Sequence, residues 1–122
     1  MSKGNILLIE DHAVTRKNIS RFLRDEGFEI RDVEDAREAL SLLNPNPDLI
    51  ITDYVLPGLG GREFLKLLRS RTSLTPIILV SATITEDIVH DIQECKINAH
   101  LVKPIDLNEL LDRIYVVLEK NE

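Results

Sequence analysis

Five short apolar runs alternate along this chain with segments that have helical periodicity. The runs are rich in β-branched residues and are bounded by polar or turn residues, a pattern typical of strands, several of them buried on both faces as in a parallel sheet. They lie at Ile6–Ile9, Phe28–Val33, Leu49–Ile51, Ile77–Val80 and Ala99–Val102. Because parallel strands that alternate with helices need right-handed crossovers, we predict an α/β fold with a doubly wound, five-stranded parallel sheet and five helices.

The segments between the runs carry apolar residues at the spacing of one helix face. The first predicted helix runs from about His12 to Glu26, and Gly27 supplies the left-handed residue that commonly ends a helix. The last runs from Asp106 to Glu119, and two acids three residues apart at its start have the spacing of a capping box. The apolar stripes of the other three helices are Ala36, Ala39, Leu40 and Leu43; Phe64, Leu65 and Leu68; and Ile88, Val89, Ile92 and Cys95.

Length and composition argue against several classes of protein. A chain of 122 residues, 43% of them hydrophobic, corresponds to one globular domain over residues 1–122. The net charge of −6 argues against direct binding to nucleic acid. A single cysteine, Cys95, excludes an internal disulfide bond and a cysteine-rich zinc site. No apolar stretch has the length of a signal peptide core or a membrane span, so we predict a cytoplasmic protein without membrane contact.

Polar side chains follow four of the five predicted strands. In a doubly wound sheet, ligands bind in the crevice outside the carboxyl ends of the strands. We therefore expect these side chains to converge at one edge of the sheet. They are Glu10 and Asp11 after the first strand, Asp53 after the third, Ser81 after the fourth and Lys103 after the fifth.

This set of side chains indicates phosphoryl transfer assisted by a metal ion. Three carboxylates close together raise their own pKa values unless a cation lies among them, and oxygen ligands of this kind favour Mg²⁺. An aspartate beside the ion can act as the nucleophile toward a phosphoryl group. Lys103 and the Ser81 hydroxyl can hold the remaining phosphoryl oxygens. A helix-cap, turn or surface role is the simpler reading of each residue taken alone, but it does not explain the whole set.

The chain resembles the receiver domain of two-component response regulators across essentially its whole length. The resemblance implies a flavodoxin-like fold with strand order 2-1-3-4-5, and a single receiver domain with no output domain in this chain. The matching segments are the acidic pair ED (Glu10, Asp11), DYVLPGLGG with Asp53, Pro57 and Gly61, SA (Ser81, Ala82) and KP (Lys103, Pro104).

The resemblance also implies a role for each matching residue. Asp53 accepts a phosphoryl group from a histidine kinase or a phosphotransfer protein. Mg²⁺, with Mn²⁺ as an alternative, is bound by Glu10, Asp11, Asp53 and the backbone carbonyl of Val55. Ser81, Ala82 and Lys103 contact the phosphoryl group, while Pro57, Gly61 and a cis bond between Lys103 and Pro104 support the site.

By the same resemblance the domain is a signalling switch and not an enzyme, since it assists only its own phosphorylation and dephosphorylation. The expected signalling face consists of the helix after Thr85, the fifth strand and the last helix. Its expected partner is a downstream protein or an output domain, with a homodimer formed on phosphorylation as a further option.

His100 departs from the family pattern. It lies three residues before Lys103, where receivers usually carry Tyr or Phe, and that aromatic ring moves inward when the hydroxyl residue, here Ser81, shifts toward the phosphoryl group. Histidine is smaller, more polar and titratable near neutrality. We hypothesise that coupling to partners is weakened or made pH-sensitive.

Two other functions remain open at this point. One is a receiver-like interaction module that is never phosphorylated, which His100 mildly favours. The other is a phosphohydrolase of the haloacid-dehalogenase type, which also uses a strand-end aspartate with Mg²⁺. That enzyme would need a second Asp two residues after Asp53, where this chain has Val55.

Overall fold

The computed structural model describes residues 2–120, in which strands and helices alternate as predicted. The strands are β1 (Asn5–Ile9), β2 (Glu29–Val33), β3 (Leu49–Asp53), β4 (Ile77–Ser81) and β5 (Ala99–Val102). The helices are α1 (Ala13–Asp25), α2 (Ala36–Leu40), α3 (Gly61–Arg71), α4 (Glu86–Glu94) and α5 (Leu107–Lys120). None of the helices within residues 2–120 combines the length and apolar character that crossing a membrane requires.

The five strands form one parallel sheet in the order β2-β1-β3-β4-β5, which confirms the predicted fold class. The chain leaves β1 toward β2 on one side and later returns to β3 on the other. The crevice between the carboxyl ends of β1 and β3 is therefore the point where the winding reverses, and this is where such sheets bind ligands. The register places Ile9 of β1 beside Thr52 of β3 and Asp53 of β3 beside Val80 of β4.

The core consists of two layers because successive side chains of a strand point to opposite faces of the sheet. In β1, Leu7 and Ile9 pack with buried residues of α2, α3 and α4, whereas Ile6 and Leu8 pack with those of α1 and α5. All residues of β3 and β4 are buried, as expected for central strands covered on both faces. These strands form a rigid support for whatever side chains follow them.

Side chains cap four of the described helices, and Asp106 caps α5 by accepting from the Asn108 and Glu109 amides. His12 precedes α1, and its Nδ1 accepts a hydrogen bond from the Thr15 amide. Asp35 and Thr85 cap α2 and α4 in the same manner, each accepting from an amide three residues further on. Gly27, with φ of +107°, follows α1 as predicted.

Two details of the helix prediction were wrong. Helix α2 ends at Leu40, so Leu43 is buried from the following loop and does not belong to the helical stripe. Val89 was assigned to the apolar stripe of α4, but it is 42% exposed, because Ile88 and Cys95 occupy the buried side of that helix. The interior position between those two residues is taken by a charged residue, Asp91.

Candidate functional site

The side chains predicted to converge do meet at the carboxyl edge of the sheet. Asp53 is the last residue of β3 and Ser81 the last residue of β4, so the two strands extend beyond their final apolar residues. Glu10 and Lys103 lie one position beyond β1 and β5. A backbone hydrogen bond from the Lys103 amide to the Ser81 carbonyl, 2.8 Å long, joins the two neighbouring strand ends.

Three carboxylates form a cluster at this edge. Glu10, Asp11 and Asp53 each offer an oxygen, and these oxygens lie within 4.8 Å of one another. Glu10 and Asp53 are buried, whereas Asp11 is exposed, so the cluster has one face open to solvent. The amide of His12 donates to Oε2 of Glu10 over 3.1 Å, which holds that carboxylate against the start of α1.

Lys103 reaches two of the three acids. Its Nζ lies 2.8 Å from Oδ2 of Asp53 and 3.0 Å from Oε1 of Glu10. Three carboxylates and one ammonium group leave a net charge of about −2 in the cluster, which a divalent cation would neutralise. The donor set, made of carboxylate oxygens with one face open for waters, fits Mg²⁺.

The environment shifts the pKa values of these groups in different directions. Burial, reinforced by the nearby charge of Glu10, raises the pKa of Asp53 to about 6 despite the contact with Lys103. Burial also acts to raise the pKa of Glu10, but the hydrogen bonds from Lys103 and from the His12 amide outweigh it and lower that pKa. Burial disfavours the charged Lys103, yet its two carboxylate partners raise its pKa, so the ammonium form persists.

Ser81 and His100 form a direct contact beside this cluster. Oγ of Ser81 lies 2.6 Å from Nε2 of His100 and 2.6 Å from the carbonyl oxygen of Thr83. A carbonyl only accepts, and a hydroxyl has one hydrogen to donate. Ser81 therefore donates to Thr83, and Nε2–H of His100 donates to Ser81. Burial lowers the pKa of His100, which favours the neutral ring.

The remaining predicted residues surround the cluster in loops. Gly61 has φ of +59°, and its amide donates to the Tyr54 carbonyl over 2.6 Å, which closes the loop after β3. The bond between Lys103 and Pro104 is cis, as the resemblance implied. Val55, Pro57, Ala82 and Pro104 have exposed side chains.

Two further residues support the site: Gly60, whose loop the sequence already marks as needing glycine, and Arg16, which sequence reasoning missed. A side chain on Gly60 would place its Cβ 2.8 Å from the Leu56 backbone nitrogen, so the loop after β3 requires glycine there. Arg16 donates to the Glu10 carbonyl over 2.8 Å and thereby supports the acidic pair. No local pattern marks Arg16 for this role, because its partner lies one turn before the helix begins.

Fold and site together define a doubly wound α/β domain with an acidic cluster where the winding reverses. The sequence matches the response regulator receiver domain family over residues 6–115, and the chain belongs to that family. Receiver domains are signalling domains and not enzymes in the usual sense.

Several characterised proteins and solved structures are similar over nearly the whole chain. It is 34% identical to the alkaline phosphatase synthesis transcriptional regulatory protein SphR of Synechococcus elongatus, over 98% of this chain and 50% of that protein. It is 29% identical to the chemotaxis protein CheY of Pseudomonas aeruginosa, over 94% of this chain and 96% of that protein. The solved structure of the chemotaxis response regulator CheY4 of Vibrio cholerae matches with a TM-score of 0.84 and 29% identity, covering 96% of this chain and 98% of that one.

The chain spans about half the length of some relatives and nearly all of others. It covers 50% of SphR and 53% of the DNA-binding response regulator MtrA of Mycobacterium leprae, but 96% of the chemotaxis protein CheY. The shared part is the receiver domain, which is common to both kinds of protein.

Proposed function

We propose that this domain accepts a phosphoryl group on Asp53 and uses it as a signalling switch in a two-component phosphorelay. The observation that carries the proposal is the placement of Asp53 at the end of a buried strand, 2.8 Å from Lys103 and beside two further carboxylates. A nucleophile for phosphoryl transfer needs fixed position and compensating charge, and these contacts supply both.

Glu10, Asp11 and Asp53 would hold Mg²⁺ or Mn²⁺, with the Val55 carbonyl as the further ligand that the family pattern suggests. When bound, the cation offsets the repulsion between the carboxylates and the phosphoryl oxygens. Asp11 is the exposed member of the cluster, and Glu10 is fixed by the His12 amide.

The donor in this proposal is the phosphohistidine of a histidine kinase or of a phosphotransfer protein. A carboxylate oxygen of Asp53 bonds to phosphorus as the P–N bond of the phosphohistidine breaks. The imidazole leaves with the bonding electron pair and takes up a proton. Lys103 already contacts the Asp53 carboxylate and stays close enough to pair with the transferred oxygens.

Ser81 and His100 would report the modification to the rest of the domain. The Ser81 hydroxyl donates to Thr83 in this structure, so it must release that carbonyl before it can donate to a phosphoryl oxygen. His100, bonded to the same oxygen, would then have to follow Ser81 or lose its partner. The nearby Ala82 backbone is the other expected phosphoryl contact.

The surface through which the switch acts is proposed to be α4, β5 and α5. Apolar side chains are exposed on each of these elements, at Val89, Val102 and Val116. Such side chains suit a downstream protein, an output domain or a second copy of the domain. We propose a cytoplasmic location and no direct contact with membrane or nucleic acid, consistent with the acidic net charge of −6.

Intact mass spectrometry tests the proposal. The wild-type protein is incubated with acetyl phosphate, with and without Mg²⁺, alongside Asp53→Asn and the exposed-acid control Asp112→Asn. We expect one phosphoryl adduct that needs Mg²⁺, is retained in Asp112→Asn and is lost in Asp53→Asn. No adduct on the wild type, either from acetyl phosphate or from a phosphorylated histidine phosphotransfer domain, would favour the interaction module.

A further inference from the structure

Asp91 is a charged residue with no exposed surface, and it lies on α4 outside the acidic cluster. Both of its carboxylate oxygens are engaged. The Tyr54 hydroxyl donates to Oδ2 over 2.7 Å, and Nε of Arg62 donates to Oδ1 over 2.7 Å. A buried carboxylate is tolerated only when its oxygens are paired in this way.

The two partners of Asp91 bracket the loop that follows the phosphoacceptor. Tyr54 is the residue next to Asp53, and Arg62 is the second residue of α3, immediately beyond the loop. The loop ends are themselves joined by the hydrogen bond from the Gly61 amide to the Tyr54 carbonyl. Asp91 on α4 therefore hydrogen-bonds to side chains at both ends of the loop between β3 and α3.

We infer that Asp91 is a positioning residue that couples this loop to α4, so that the phosphorylation state of Asp53 and the position of α4 influence each other. The inference rests on the proposed function and deepens it. Tyr54 cannot move relative to α4 without giving up its hydrogen bond to a carboxylate that is fully buried from solvent, and leaving that carboxylate oxygen unpaired is costly. A displacement of the loop is thus transmitted to α4 as a whole.

The opposite face of α4 is the part that a partner would contact. Val89 and His90 are exposed there and line a shallow groove with Ile84 and Gln93. Because coupling between two sites is reciprocal, a partner that prefers one position of α4 also changes how readily Asp53 is phosphorylated. The contact of Asp91 with Tyr54 and Arg62 is separate from the contact between Ser81 and His100, which lies on β4 and β5.

The test compares amide chemical shifts in ¹⁵N NMR spectra before and after phosphorylation with acetyl phosphate and Mg²⁺. The variants are Tyr54→Phe, which removes only the hydroxyl, and Arg62→Gln, whose side chain is partly exposed. Tyr115→Phe on α5 is the matched control, since it also removes one hydroxyl, whose partner is Lys3 and not a residue of α4. Intact mass verifies the adduct in each sample.

We expect the phosphorylation-induced shift changes of residues 86–94 to fall at least twofold in Tyr54→Phe and Arg62→Gln, relative to those of residues 77–81. They should be unchanged in Tyr115→Phe. A purely structural role would lower stability but leave this phosphorylation-dependent ratio intact. Adduct formation with an unaltered ratio in both variants would overturn this inference alone. Absence of any adduct on the wild type would overturn the proposed function, and this inference with it.

Discussion

Lys103 donates a hydrogen bond of 2.8 Å to Oδ2 of Asp53, a residue 50 positions earlier in the chain. The contact joins the carboxyl ends of β5 and β3, between which β4 lies in the sheet. It places a fixed positive charge against the proposed nucleophile before any phosphoryl donor arrives. A charged group that is already in position stabilises the charge that develops in the transition state without any reorganisation of the protein.

Replacing this charge should slow phosphorylation without unfolding the domain. In Lys103→Met the Asp53 and Glu10 carboxylates lose their shared cation, and the incoming phosphoryl oxygens lose a donor. We expect the rate of adduct formation with acetyl phosphate and Mg²⁺ to fall by roughly tenfold or more. The measurement is a time course by intact mass, with the exposed Lys66→Met as control. Equal rates of adduct formation in Lys103→Met and Lys66→Met would show that Lys103 does not assist phosphorylation.

Mg²⁺ should stabilise the folded domain, because the acidic cluster exists only in the native state. At an Mg²⁺ concentration 100 times its Kd, the free energy of unfolding should rise by about 2.7 kcal/mol. The increase in Tm should be smaller in Asp53→Asn and unchanged in Asp112→Asn. A wild-type melting curve that does not respond to millimolar Mg²⁺ would argue strongly against a metal site.

Without metal, Asp53 should destabilise the domain above its raised pKa. The folded state favours the neutral form of the Asp53 carboxyl group. The contribution of this group to the free energy of unfolding is therefore complete below the ordinary pKa of 3.8 and is lost as the pH rises through about 6. In EDTA at pH 7.5, Asp53→Asn should therefore be more stable than the wild type by roughly 1–3 kcal/mol. Urea unfolding across this range should show the difference shrinking toward acidic pH. A difference that grows as the pH falls would have the wrong sign.

His100 should titrate below its ordinary pKa of 6.5, since burial disfavours the charged ring. Its contribution to stability is present above pH 6.5 and is lost as the pH falls through the lower, folded-state pKa. The pKa can be read from the ring proton shifts in NMR spectra, and the free energy of unfolding compared with that of His100→Phe. The wild type should lose stability relative to His100→Phe below pH 6.5. A His100 pKa above 6.5 would contradict this.

The effect on signalling is a separate prediction. If His100 makes the switch pH-sensitive, the affinity of the phosphorylated domain for its partner should change between pH 6 and 8, mostly at the acidic end. The same affinity in His100→Phe should be flat. An equally flat profile in the wild type would show that His100 does not make partner binding pH-sensitive. The remaining role of His100 would then be its hydrogen bond to Ser81.

Much of the fold follows from local patterns in the sequence. The apolar runs predict all five strands, since central parallel strands leave few positions for polar residues. The pattern stops at the last apolar residue, however, so it missed Thr52, Asp53 and Ser81 as strand residues. These polar groups continue the strands because neighbouring strands still supply their backbone hydrogen bonds.

The residues of the site that follow the strands could be predicted from strand topology. The contacts that a helix side chain makes with distant residues could not. Glu10, Asp53 and Lys103 follow from the rule that parallel strands end at one edge. The role of Asp91 could not be predicted in this way, because its partners Tyr54 and Arg62 lie 37 and 29 positions earlier, in the loop after β3 and on α3. The available signal was an acid between Ile88 and Cys95 on the inner stripe of α4, and only the tertiary structure shows what pairs with it.

Locating the modified residue shows whether Asp53 is the phosphoacceptor. An acyl phosphate is reduced by borohydride to an alcohol, which converts an aspartyl phosphate into homoserine. The domain is phosphorylated with acetyl phosphate and Mg²⁺, reduced, digested and sequenced by tandem mass spectrometry. We expect homoserine at position 53. Homoserine at Asp11 or at another acid, with Asp53 unmodified, would contradict it.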